Sequence, residues 1–211
     1  MIRLLVIGAG LIGSRHIAAV KAHPGCVLAG VVDPVARVTE APWFRDISEG
    51  DVPVDGAIIA TPTDLHARHA KDAAARGWHM RIEKPVAATA AEATEIAQAI
   101  AHHKVEALVG HHRRYHPSVH RLRDCVQTAE IGMPVTSTMI WSVAKPDAYF
   151  DVSWRRAGGS PVMINLIHDV DLLRFVMGEI EAVTGFGAHP NRGAARVENG
   201  AVAVQFASGA T

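Results

Sequence analysis

The chain has 211 residues, 49% of them apolar, and Lys plus Arg equals Asp plus Glu at 21 each. That apolar content can fill one large core or two small ones, and a net charge of zero offers no attraction for nucleic acid or an anionic membrane. The two cysteines, Cys26 and Cys125, have neither metal nor redox spacing, and no apolar run reaches the length of a membrane span, so a cytoplasmic protein is expected.

The opening residues, MIRLLVIGAGLIGSR, are apolar enough for a signal peptide but lack a small-x-small cleavage site. Arg3–Ile7 is a short β-branched run stopped by Gly8, which predicts a buried strand. From Leu11 to about Ala22 the apolar spacing is helical, and His23-Pro24-Gly25 ends it. Further strands are predicted over residues 26–33, 55–62, 78–85 and 106–112. Between them fall a helix over 64–76, with Thr63 or Asp64 as N-cap and Gly77 as stop, and an Ala- and Glu-rich helix over 89–102. Strands alternating with helices in this way predict an α/β fold with a doubly wound parallel sheet over residues 1–117. The pattern then changes. Residues 118–128 predict a helix, 134–143 a half-exposed strand, and 161–177 a helix stopped by Gly178. Residues 181–188 and 200–207 predict strands, the second with Val202, Val204 and Phe206 on one face. Residues 118–211 therefore read as a second, α+β domain with antiparallel strands.

The first strand runs into Gly8-Ala9-Gly10-Leu11-Ile12-Gly13, and Asp33 ends the second strand twenty residues later. Glycines alone in this pattern are a weak signal. After a strand, before a helix and upstream of an acid, they form the dinucleotide-binding fingerprint. Gly8 permits the tight turn, Gly10 lets backbone approach a pyrophosphate, and Gly13 lets helix and strand close together. The backbone of Leu11 and Ile12 opens the helix, whose unpaired N–H groups face the phosphates. Asp33 accepts from the ribose hydroxyls and repels a 2′-phosphate, which favours NAD over NADP; Arg37 nearby leaves NADP open.

Glu83, Lys84 and Pro85 stand at the carboxyl end of a strand, the edge where open α/β sheets bind ligands. Desolvation and the positive nicotinamide would lower the pKa of a lysine there and make it a proton acceptor. Position alone leaves this role level with that of a surface lysine paired with Glu83.

With "GAGLIG", "IIATPTDLHARHA", "EKP" and "WRRAGGSPVMINLIHDVDLL" in this order, the chain resembles the Gfo/Idh/MocA oxidoreductases over essentially its whole length. The resemblance implies a Rossmann domain followed by an α+β domain whose open, mainly antiparallel sheet mediates homo-oligomers. It implies NAD(P)-dependent oxidation or reduction of a sugar, polyol or cyclitol. It also implies that Lys84 moves the substrate hydroxyl proton, that Thr61, Pro62 and His66 lie beside the cofactor, and that the Lys84–Pro85 bond is cis.

On a helix, Asn165, His168 and Asp171 recur at i, i+3 and i+6 and share one side. From the residues alone His168 is open between a catalytic and a structural role; the resemblance implies that it lies next to the reacting carbon. Many relatives carry an Asp four residues before that His. Here Ile164 occupies the position, and Asn165 can orient a hydroxyl but cannot take a proton. Proton handling then falls on Lys84 and His168, and a nucleotide-binding protein without turnover is the alternative. Tyr149, Trp154 and Arg155 are open between a substrate cleft and ordinary packing at a domain junction.

Six of the thirteen histidines lie between His102 and His120. His112, His116 and His120 have zinc-like i, i+4 spacing, but Pro117 interrupts the helix and neither Cys nor acid completes a set, so no metal site is expected. The resemblance instead implies that His112 and Arg114 bind substrate. Two lengths depart from the family. Residues 34–54 are short for the expected helix, strand and turn, which implies an internal deletion or residues missing from this sequence. Residue 211 falls within the expected second domain, which leaves that domain incomplete, with an unpaired edge and a need for a partner chain.

Overall fold

The computed structural model describes residues 1–35, 41–49, 52–144, 146–151, 162–188, 197 and 199–211. Two compact units divide at residue 110. In the first, β1 (Ile2–Ile7), β2 (Cys26–Val32), β3 (Trp43–Phe44), β4 (Gly56–Ile59), β5 (His79–Ile82) and β6 (Ala107–Val109) form one parallel sheet in the order β3-β2-β1-β4-β5-β6. Helices α1 (Leu11–Ala22), α2 (His66–Ala75) and α3 (Ala90–His103) alternate with the strands. The chain order reverses between β1 and β4, the switch point at which doubly wound sheets open a crevice at their carboxyl edge.

Strand periodicity divides the core. Leu5 and Ile7 of β1 join one cluster with Ile59, Ile82 and α2, while Leu4 and Val6 join the other with Ile17 and Val20 of α1. Ala67, Ala70, Ala73 and Ala74 make the buried face of α2, and side chains this small bring helix and sheet close together. A capping box starts α3: Thr89 Oγ1 accepts from Glu92 N at 3.2 Å, and Glu92 Oε2 accepts from Thr89 N at 3.2 Å.

The structure departs from expectation at two points in this unit. Residues 43–44 pair with β2 as β3, an edge strand too short to show any alternation in the sequence. A 3-10 turn, Ile47–Glu49, follows, so the short segment still holds a strand and a turn. Neither Thr63 nor Asp64 caps a helix: residues 63–65 form a 3-10 turn after Pro62, and α2 starts at His66 with no side-chain cap. Gly77, at φ 72°, ends the α2 segment as expected.

The second unit contains α4 (Pro117–Gln127), α5 (Ile167–Met177) and the antiparallel pair β7 (Ile180–Ala188) and β8 (Asn199–Phe206). Pro117 opens α4, and His116 Nδ1 accepts from Ser118 N at 3.2 Å. The predicted strand at 134–143 joins no ladder among the described residues. It makes two backbone bonds, Ser137 N to Thr211 O at 2.7 Å and Thr211 N to Val135 O at 3.1 Å, the pattern of one parallel bridge. The predicted helix over 161–177 is also divided. Val162–Leu166 is a π turn, and the α-helix begins only at Ile167. Among the described residues no helix is long and apolar enough to cross a membrane.

Candidate functional site

At the carboxyl edge of β1, Gly8 has φ 95°, and a Cβ there would stand 2.8 Å from Thr61 N, so only glycine lets the β1 and β4 loops approach this closely. A Cβ at Gly13 would collide with the Gly8 carbonyl. A Cβ at Gly10 would meet no protein atom within 4 Å. Protein packing thus requires Gly8 and Gly13 but not Gly10, whose lack of a side chain suits close approach of a ligand to the backbone. Leu11 and Ile12, in the first turn of α1, are exposed. Asp33 joins the same loop: Oδ2 accepts from Ala9 N at 2.7 Å and Oδ1 from Val35 N at 2.9 Å. This carboxylate braces the glycine turn at the end of β2. The residues present therefore fit a dinucleotide.

Thr61 and Pro62 follow β4, and Thr61 Oγ1 is buried with no hydrogen-bond partner among the described residues. His66, 1% exposed, has Nε2 3.0 Å from Thr61 O and Nδ1 3.0 Å from Pro85 O. Its ring ties the β4 loop to the segment after Lys84 rather than facing solvent. The Lys84–Pro85 bond is cis, as the resemblance implied, and Lys84 is half-buried just past the end of β5. Glu83 meets His16 and Arg81 through its carboxylate, at 2.9 and 3.2 Å.

Burial pushes the His66 pKa down, and the carbonyls of Thr61, Pro85 and Val86 with the Glu83 charge offset this only in part. His69 on the same helix is shifted down too, first by burial and then by the Arg68 charge. A neutral ring has one N–H and donates to one carbonyl; protonation adds a second donor but puts a charge in a site almost closed to water. With a folded pKa below the unfolded value of about 6.5, this contribution to stability is complete above that pH and is lost as pH falls through the folded pKa. The unfolding midpoint is expected to drop between pH 7.5 and 5.5, and to drop less in His66→Gln. Equal drops in the two proteins would exclude His66 as the source.

In the second unit, the 3-10 turn His112–Tyr115 packs on α5. Arg113 Nη1 donates to Asp169 Oδ1 at 2.6 Å, and Arg114 grips Asp171 through Nε at 2.7 Å and Nη2 at 2.5 Å. The His112 and His168 rings meet edge to face at 4.9 Å, with His111 5.9 Å from His168. His168, Asp169 and Asp171 are 5–7% exposed, while the apolar Val170, Leu172 and Leu173 are only half-buried. This helix therefore buries its polar stripe. Two carboxylates buried this far need the guanidinium partners that Arg113 and Arg114 supply.

Arg114, expected at substrate, spends two donors on Asp171 and stacks 5.2 Å from the Phe175 ring. Asn165 lies in the π turn, so it does not continue the α-helical spacing of His168 and Asp171. Sequence reasoning missed Asp169, whose Oδ2 is buried without a hydrogen-bond partner among the described residues. It also missed Arg113. A charged pair 56 residues apart leaves no local signal, although two acids in an apolar helix call for cations elsewhere. Trp154, Arg155 and the side chain of Tyr149 lie outside the described residues.

A glycine turn braced by a carboxylate at the carboxyl edge of a doubly wound sheet defines the first unit as a dinucleotide-binding domain. Residues 2–111 match the model of the oxidoreductase family with NAD-binding Rossmann fold, and residues 119–211 match the GFO/IDH/MocA C-terminal domain. The chain belongs to the Gfo/Idh/MocA family. It is 31% identical to the rhizopine catabolism protein MocA of Rhizobium meliloti, over 84% of this chain and 57% of that one. It is 27% identical to inositol 2-dehydrogenase of Rhizobium meliloti (strain 1021), over 84% and 56%. The fold matches the WlbA dehydrogenase from Bordetella pertussis, crystallised with NADH and UDP-GlcNAcA, with TM-score 0.90 and 25% identity over 99% of this chain and 68% of that one. The chain spans about half the length of the curated relatives it matches.

Proposed function

We propose that the chain acts as an NAD(P)-dependent oxidoreductase on a secondary alcohol, or the corresponding ketone, of a sugar, cyclitol or related polyol. The glycine loop carries this reading, because Gly10 has room for a side chain that no protein atom fills. Gly8, Gly10, Gly13 and the backbone of Leu11 and Ile12 would hold the pyrophosphate, with Asp33 on the ribose and NAD favoured over NADP. When bound, NAD supplies the hydride acceptor for alcohol oxidation. Thr61, Pro62, His66 and Glu83 frame the segment around Lys84. Lys84 takes the hydroxyl proton as the substrate C–H bond breaks and returns it in the reverse reaction. His168 is the second proton-handling group, Asn165 orients a hydroxyl, and His112, with Arg114, Tyr149, Trp154 and Arg155, serves the substrate side.

Ile164, where many relatives place a carboxylate, favours a second reading, a nucleotide-binding protein without turnover. NADH titration and a turnover assay across sugars, inositols and linear polyols separate the two. NADH binding with no turnover on any of them would sink the first reading.

The partner side of the proposal is a homo-oligomer assembled through the second-domain sheet in the cytoplasm. Val183 and Val202, on one face of the β7–β8 pair, are 68% and 54% exposed, an apolar surface that supports it. A monomer in sedimentation at tens of micromolar would count against it.

A further inference from the structure

His16 shares the inward phase of α1 with Gly13, Ile17 and Val20, at i, i+3, i+4 and i+7 of the buried stripe. A polar ring in that phase needs partners. Its Nε2 lies 2.9 Å from Glu83 Oε1, and Arg81 Nη1 lies 2.7 Å from its Nδ1. Arg81 Nη1 also lies 3.0 Å from Nε2, so the guanidinium approaches both ring nitrogens, while the carboxylate, which only accepts, takes the Nε2 proton. Burial raises the Glu83 pKa, but the His16 hydrogen bond and the Arg81 charge outweigh it and hold the group below its ordinary value. Glu83 therefore stays ionised.

The same carboxylate is enclosed on every other side. Arg81 Nη2 is 3.2 Å from Oε1, Oε2 faces the backbone N–H of Lys84 at 3.4 Å, and a Cβ at Gly110 would stand 2.9 Å from Oε1. The end of β6 thus leaves only a glycine's clearance. The side chains of His16 and Glu83 are 13% and 14% exposed, so the pair is largely shielded from water. Its oxygens are engaged by α1, β5 and the Lys84 backbone.

We propose that His16, Arg81 and Glu83 form a positioning relay that fixes Lys84 against α1, the helix into which the glycine turn opens. None of the three transfers a proton to substrate. The relay makes the placement of Lys84 depend on the seating of α1. The proposal rests on the reading of Lys84 as the proton-transferring group, but its structural half can be tested without turnover.

The lysines of the intact chain are reductively methylated with ¹³C-formaldehyde, and the Lys84 resonance is identified by its loss in Lys84→Arg. In His16→Ala the Lys84 resonance and its titration midpoint are expected to move. In His16→Gln they stay near the parent, because the amide N–H can replace Nε2–H toward Glu83. Where turnover is measurable, His16→Ala loses about tenfold or more in kcat, with NADH affinity within about threefold, and His16→Gln recovers most of the loss. A general loss of stability would not give that split between kcat and affinity, nor the recovery by the amide. Should His16→Ala fail to fold, Glu83→Gln keeps the volume, removes the charge and is expected to move the same resonance. A Lys84 resonance unmoved in folded His16→Ala, or in folded Glu83→Gln where the first does not fold, overturns the relay. A parent chain without turnover on any polyol would instead remove the catalytic reading and leave the resonance result standing.

Discussion

Lys84→Ala is expected to lower kcat by about a hundredfold to ten-thousandfold while NADH affinity stays within a few-fold, the range seen when a general base is removed. The expectation follows from where the residue stands. Lys84 stands two residues past the end of β5, and the β4 and β5 loops are joined there through His66, whose two nitrogens each lie 3.0 Å from a loop carbonyl. A side chain on so constrained a segment can be held within reach of a substrate hydroxyl, and proton transfer is steeply sensitive to that distance. On the proposed reading NADH is held by the glycine turn and Asp33, so the two quantities are expected to separate. Lys71→Ala is the matching control. Lys71 pairs with Glu95 at 2.7 Å on the surface of α2, with both side chains about half exposed, and its loss is expected to leave turnover unchanged. An NADH affinity that fell in step with kcat in Lys84→Ala would assign the lysine to cofactor binding instead.

The parts of the fold legible in the sequence are those in which chemistry repeats over several residues. Alternation in β1 separates Leu5 and Ile7 from Leu4 and Val6, and the two sets do enter different clusters. The glycine turn is legible because each glycine answers a steric demand at a fixed offset. Other features have no such carrier. β3 has two residues, which is less than one period of alternation. The π turn at Val162–Leu166 bonds i to i+5, and apolar spacing at 3.6 residues per turn does not reveal it, so that spacing puts Asn165 in phase with His168. The pairs Arg113–Asp169 and Arg114–Asp171 join segments more than fifty residues apart. His16 was legible in principle, since a histidine at an inward position of α1 requires a partner.

Gly13→Ala and Gly10→Ala are expected to fail in opposite ways, although they lie three residues apart on one turn. At Gly13 a methyl group would collide with the Gly8 carbonyl oxygen and stand 2.8 Å from its carbonyl carbon. Backbone cannot yield as a side chain tip can. Gly8 is itself wedged against Ala60 and Thr61, where a Cβ of its own would be 2.7 Å from the Ala60 oxygen. Relief must therefore come from lifting α1 off β1, which opens the cluster that Val6, Val20 and Ile58 close. Overpacking of this kind costs about 1–3 kcal/mol and more where the backbone must shift, so the unfolding midpoint should fall by several degrees with or without NADH. At Gly10 the backbone has φ −65°, which any residue adopts, and the added methyl meets no protein atom. The free protein should then unfold within about 0.5 kcal/mol of the parent. NADH affinity should nonetheless fall by about tenfold or more, because the methyl occupies the space through which the backbone approaches the pyrophosphate. Thermal unfolding with and without NADH reads both effects at once. A stable Gly10→Ala protein that binds NADH as tightly as the parent would show that the open space at this glycine is not where the dinucleotide lies.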